Sequence, residues 1–286
     1  MRVADSLQLL KDAYQGWSND KASRLAAALA FYTIFAIAPL LIVVIEIAAT
    51  LLGGGGHHNA VRDQILNELR PAIGDSGTKA IADLIAATYN ARSGGFVATV
   101  VGWVVFAVAA SGLVVAIQDA LDTIWDAKPK RGIVDMILDR LKACALIGGG
   151  AIVIVVMGLI GTVADRLEFA SGAKIAHAAI VFVAVTLMTG AIYKWLSNVE
   201  LSWRDVWTGA VVSSLLGVIG QYAIGMYLNH VATANAYGAA GSLVVILLWI
   251  YYSMQIFLFG AELTKAYAVR FGSKKTSPVG QPALST

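Results

Sequence analysis

The chain has a single cysteine, Cys144, so no internal disulfide can form, and the apolar run around it marks a buried structural thiol. Histidine is nearly as scarce. His57 and His58 are adjacent in a glycine-rich stretch, while His177 and His230 stand alone, and no H-x-H, H-E-x-x-H or paired-cysteine spacing occurs. A G-x-S-x-G elbow and a phosphate-binding loop are also missing. Hydrolytic and nucleotide-driven chemistry are therefore not expected, and no metal or cofactor is implied. Charge is sparse too: Asp, Glu, Lys and Arg make up 14% of the 286 residues, against roughly 25% in a soluble domain. The first 24 residues lack the apolar core of a cleavable signal peptide, so the first long apolar run is expected to direct insertion.

Apolar residues are abundant, at 58% of the chain with a mean hydropathy of +0.72. Crossing roughly 30 Å of hydrocarbon takes about 20 helical residues, and six runs are long enough: 25–52, 96–117, 143–164, 175–196, 206–228 and 239–263. The expected fold is all-α, a polytopic membrane protein with a six-helix transmembrane bundle over 25–268. An N-terminal amphipathic segment, 1–24, precedes it, and a tail at 269–286, rich in Ser, Gly and Pro, reads as disordered. Leu7, Leu10, Tyr14 and Trp17 recur at helical spacing, which fits a helix lying on the membrane or a prop packed against the bundle.

Between the first two spans, 53–94 holds two amphipathic stretches split by Pro71. Val61, Ile65, Leu66 and Leu69 form one stripe, and Asp75 or Ser76 can cap a second helix carrying Ile81, Leu84 and Ile85. This segment is expected to form a two-helix extracytoplasmic cap. Fifteen Lys and Arg fall on the side of the N-terminus and six on the other, which places both termini in the cytoplasm.

Polar residues inside the spans are the candidates for function. In the first span Tyr32, Pro39 and Glu46 recur every seven residues and share a face, and Pro39 can kink the helix. In the last, Tyr251, Gln255 and Glu262 fall within about a 40° arc at 100° per residue. These six residues are the candidate lining of a pathway, since an acid in hydrocarbon is costly and should face protein or water. The competing reading is that Glu262 pairs with Lys265 or Arg24 and only fixes register. In the fifth span Gly209, Ser213, Gly217 and Gln221 recur every four residues, a pattern that lets helix backbones approach closely, and Gly238 and Gly241 open the last span as candidate hinges. Arg24 and Lys194 are candidate lipid head-group contacts, with Trp195, Trp203 and Trp207 as interfacial anchors. Asp119, Asp122 and Asp126 share a face that reads as a solvated helix end or a cation-gathering one.

Three segments carry a family resemblance: LAAALAFYTIFAIAPLLIVVI from Leu25, YKWLSNVELSWRDV from Tyr193, and YGAAGSLVVILLWIYYSMQIFLFGAEL from Tyr237. Together with ALDTIW at Ala120 to Trp125, they resemble the signature regions of the YihY/BrkB family of bacterial inner-membrane proteins. Ser197 departs from the pattern, which has proline before Asn198. The resemblance implies a multi-pass inner-membrane protein; the family carries both a virulence-factor label and the historical label ribonuclease BN. The second label finds no support in the residues, because no metal constellation exists and basic residues alternate with acids where a phosphate-binding stripe would cluster them. The expected function is transporter-like movement of a lipid or other amphipathic, anionic molecule, with no enzymatic activity. A non-catalytic scaffold for envelope partners is the alternative. Membrane lipids are the expected partners, with a homo-oligomer or envelope proteins further options and nucleic acid excluded.

Overall fold

The computed structural model describes residues 3–51, 58–92, 112–127, 172–231 and 238–274, and every described element is helical. These elements are α1 (Val3–Asn19), α2 (Ala22–Leu51), α3 (His58–Arg92), α4 (112–124), α5 (Gly172–Leu196), α6 (Trp203–Val231) and α7 (Gly238–Arg270). The expected span 143–164, most of 96–117, and all but the first six residues of the tail lie outside the described residues.

Two of these helices, over Ala178–Leu196 and Val244–Arg270, are long and apolar enough to cross a membrane. A third qualifies if Ala22–Ile37 and Leu40–Glu46, which meet at a 48° bend, count as one span. The bend falls at Pro39, whose missing N–H removes a hydrogen bond from the preceding turn. Helix α7 runs to Arg270, beyond the apolar run itself, because Leu263, Tyr267 and Ala268 keep an apolar face after Glu262.

Local chemistry sets the connections. Between α1 and α2 the Asp20 amide still bonds to the Gly16 carbonyl at 2.9 Å, and Lys21 then takes the left-handed conformation, φ 52°, that breaks the helix. In α3 the break is at Gly74, with φ 70° and ψ 177°, three residues past Pro71 and just before the expected cap at Asp75. Helix α4 closes in a Schellman motif with Asp126 at the left-handed position, φ 51°, and the Ala127 amide on the Asp122 carbonyl at 2.9 Å. Ser202 caps α6, its Oγ accepting from the Arg204 amide at 3.3 Å.

Among the described residues, two larger apolar cores and a small one that holds α1 keep the helices together. In one, Leu41, Ile42, Val44 and Ile45 of α2 meet Ile246 and Ile250 of α7, and α3 covers them with Val61, Ile65, Leu66, Ile81 and Ile85. The other joins Ala22, Ala26 and Leu29 of α2 to Ala120, Leu121 and Ile124 of α4, Tyr193 of α5, Val206 and Ala210 of α6, and Leu258 and Ala261 of α7. Helix α7 is the common partner, in contact with α1, α2, α3 and α6. Helix α1 packs on α7, but through a face other than the expected stripe. Leu9 and Ala13 are buried against Leu263 of α7, while Leu7, Leu10 and Tyr14 turn outward and stay exposed.

Candidate functional site

Glu262 is buried, with 2% of its surface exposed. What covers it is α1 and the turn after it. A methyl group built on Gly16 would fall on the Glu262 carboxylate, its Cδ 3.0 Å away, so a larger residue there would have to displace that carboxylate. The Asp20 carboxyl lies within hydrogen-bonding reach of Glu262. Neither Lys265 nor Arg24 pairs with it: Lys265 Nζ donates to Asp126 Oδ2 at 2.8 Å, and Arg24 is exposed on the first turn of α2. Arg270 fastens the same contact further along, donating to Asp12 Oδ2 at 2.9 Å and to Gln8.

Among the described residues, the other members of the expected pathway fall in separate surroundings. Glu46 lies 3.7 Å from His58 Nδ1, where α2 meets α3. Tyr251 packs against both apolar cores, and Gln255 is half-buried with its Oε1 unbonded. Between the polar faces of α2 and α7 stand Ile42, Ile45, Ile246 and Ile250, each at most 1% exposed.

Tyr32 turns away from α7 and lines a groove of about 230 Å³ with Gly112, Val115, Ala116 and Asp119. Gly112 makes room for it, since a β-carbon there would stand 3.4 Å from the Tyr32 ring. Phe31, Tyr32 and Phe35 form an exposed aromatic cluster, with centroids 5.9 Å apart for Phe31 and Tyr32 and 5.0 Å for Phe31 and Phe35. The three aspartates of α4 thus part company. Asp119 faces the groove, Asp126 takes Lys265, and Asp122 is buried, accepting from the Asn198 side-chain amide at 2.5 Å.

The small-residue row of α6 is a contact over part of its length. Gly209 lies against the Gly260 carbonyl and Thr264, and Ser213 against Gly260, whereas nothing among the described residues lies within 4 Å of a β-carbon placed on Gly217. Gly220 fills the next position of approach, against the Tyr252 ring. Tyr193 closes this junction: it is fully buried, its hydroxyl donates to the Phe257 carbonyl at 2.5 Å, and it shares a 2.9 Å hydrogen bond with Ser213 Oγ. Gly238 is the first residue of α7, and Gly241 lies in its first turn.

Lys194 is engaged locally. Its Nζ donates to the Leu201 carbonyl at 2.6 Å and stands 5.3 Å over the Trp203 ring. Trp195, Trp203 and Trp207 are all partly exposed around it. No group of three or more His, Cys, Asp or Glu able to hold a metal ion occurs among the described residues.

Comparison with known proteins gives one family and several relatives. The sequence profile of the family described as "Virulence factor BrkB" matches residues 13–282. A UPF0761 membrane protein of Verminephrobacter eiseniae is 25% identical over 90% of the chain and 60% of its own length. One from Rhodospirillum centenum is 25% identical over 99% of the chain and 62% of its own length. A shorter one from Actinobacillus pleuropneumoniae is 27% identical over 87% of the chain and 90% of its own length. The chain thus spans about three fifths of the first two relatives. No solved structure matches.

Proposed function

The chain belongs to the BrkB virulence-factor family of membrane proteins, and from that premise we propose that it handles membrane lipid, moving a head group along the flank of α2. The observation that carries this reading is the groove between Tyr32 and Asp119, which is apolar for most of its lining and has one acid. An ammonium is attracted both to a carboxylate and to aromatic faces, and the Phe31, Tyr32 and Phe35 cluster supplies such faces beside the acid. The cargo that fits is an amine-bearing lipid rather than the anionic molecule expected from the sequence, because Asp119 would repel a phosphate head group lacking an amine. Both termini face the cytoplasm in this reading, and α3 forms the cap on the far side. No enzymatic step is invoked.

A scaffold that organises envelope partners is the second reading. It is favoured by the tight apolar packing of Ile42 and Ile45 against Ile246 and Ile250, which leaves no passage between α2 and α7 there. Reconstitution into liposomes with labelled phosphatidylethanolamine separates the two. Lipid handling requires transfer between leaflets faster than in empty vesicles; transfer at the empty-vesicle rate, for ethanolamine, choline and glycerol lipids alike, leaves the scaffold.

A further inference from the structure

The contact between Glu262 and the α1–α2 turn has an electrostatic imbalance. Among the described residues, Asp20, Asp126 and Lys265 are the charged groups that face Glu262, so three carboxyl groups there share one ammonium. That ammonium is already committed to Asp126 at 2.8 Å, and Asp126 is largely exposed. Asp20 and Glu262 are left facing each other. Glu262 Oε1 and Asp20 Oδ2 are both buried and have no hydrogen-bond partner among the described residues. Gly16 holds the site shut, since its missing side chain is what lets α1 lie on the Glu262 carboxylate. Two carboxylates enclosed at hydrogen-bonding distance repel strongly, and a positive charge between them removes the repulsion and satisfies both orphaned oxygens.

We propose that Glu262 and Asp20 bind one small monovalent cation, a hydrogen or sodium ion, which bridges α7 to the α1–α2 turn. The site stands apart from the groove at Tyr32 and Asp119, so it holds or fails independently of the lipid reading. Both carboxyl groups contribute one oxygen to the ion, and α1 closes over it through Gly16. The ion is exchangeable, because Asp20 is only half-buried and sits where Lys21 breaks the helix.

The test uses the purified full chain in lipid nanodiscs. Infrared spectra in sodium-free buffer read the C=O stretch of a protonated carboxyl group, and titration calorimetry with sodium chloride against choline chloride reads sodium. The expected result is one ion equivalent per chain in one of the two measurements, which identifies the ion, and its loss in both Glu262→Gln and Asp20→Asn. If Glu262→Gln does not fold, Asp20→Asn carries the test, because its side chain is at the open edge of the site. Silence in both measurements overturns the proposal, as does a signal that persists unchanged in a folded Asp20→Asn variant.

Discussion

Gly209 and Gly260 bring α6 and α7 into backbone contact: a methyl group on Gly209 would fall on the Gly260 carbonyl oxygen, and one on Gly260 would stand 2.9 Å from the Gly209 carbonyl oxygen. Adding a β-carbon at either position must push the helices apart. Gly209→Ala is therefore expected to destabilise the fold by about 1–3 kcal/mol, the usual cost of overpacking. Gly217→Ala is the internal control. It meets nothing within 4 Å among the described residues and gains helix propensity, so it should be neutral or stabilising by up to about 1 kcal/mol. Thermal unfolding of the two variants in the same detergent gives the comparison, and equal midpoints would remove the close-contact argument.

Tyr193 joins three helices through one hydroxyl, bonding Ser213 of α6 and the Phe257 carbonyl of α7. Tyr193→Phe keeps the ring that packs 4.9 Å from Phe257 and deletes only the hydroxyl. The expected loss is about 1–2 kcal/mol, because Ser213 and a buried carbonyl lose a partner together. Ser213→Ala on top of Tyr193→Phe should cost much less than it does alone, since the shared bond is already gone. A double-mutant cycle on unfolding free energies measures that coupling.

The helices of this fold were legible from hydrophobic run length, and their partners were not. The runs 175–196, 206–228 and 239–263 coincide with α5, α6 and α7 to within a few residues, except where α7 continues to Arg270 on an amphipathic face. The heptad of Tyr32, Pro39 and Glu46 marks a face of α2 correctly only if α2 is straight. The 48° bend at Pro39 breaks that register, so Tyr32 reaches the groove and Glu46 reaches His58. Glu262 was conspicuous as an acid in an apolar run, but Asp20 and Gly16 read as ordinary members of a polar terminal helix. Only the packing of α1 on α7 makes them its neighbours. Asp119, Asp122 and Asp126 share a helical face in sequence, and three different neighbours give them three environments.

Helix α1 has one apolar face packed on α7 and another that is exposed, and substitutions should separate them. Leu9→Ala removes a side chain buried against α7 and is expected to cost about 2 kcal/mol or more, loosening α1. Leu7→Ala removes one that is 65% exposed and should leave α1 docked. Limited proteolysis near Lys11 and Lys21 reads the difference. Cleavage should accelerate in the Leu9 variant and stay at the parental rate in the Leu7 variant.

Asp122 and Asn198 tie the end of α4 to the turn before α6, where Val199 also donates to Ser197 Oγ at 3.3 Å. The serine thus orders a turn in which the family pattern places proline. Asn198→Asp sets two acids against each other, whereas Asn198→Ala leaves Asp122 with the backbone amide at 3.3 Å. The aspartate variant should therefore be the more destabilised of the two, by about 1–3 kcal/mol. Hydrogen exchange over 197–202 is the measurement, with faster exchange expected in both variants and the larger change in Asn198→Asp.

Asp119 gives the sharpest test of the lipid reading, because it is the charged residue of the groove and lies outside both apolar cores. Asp119→Asn preserves shape and removes charge. It should slow transfer of an ethanolamine lipid about five- to tenfold, corresponding to one partly screened charge contact of about 1 kcal/mol. Transfer of a glycerol lipid, whose phosphate Asp119 repels and which offers no ammonium, should rise with Asp119→Asn and rise further with Asp119→Lys. Both substitutions sit at an exposed position on α4, so unfolding midpoints should stay near the parental value and the rates report head-group preference. If Asp119→Lys leaves the ratio of ethanolamine to glycerol transfer unaltered, the groove does not select cargo, and the rigid packing of α2 against α7 becomes the better guide to function.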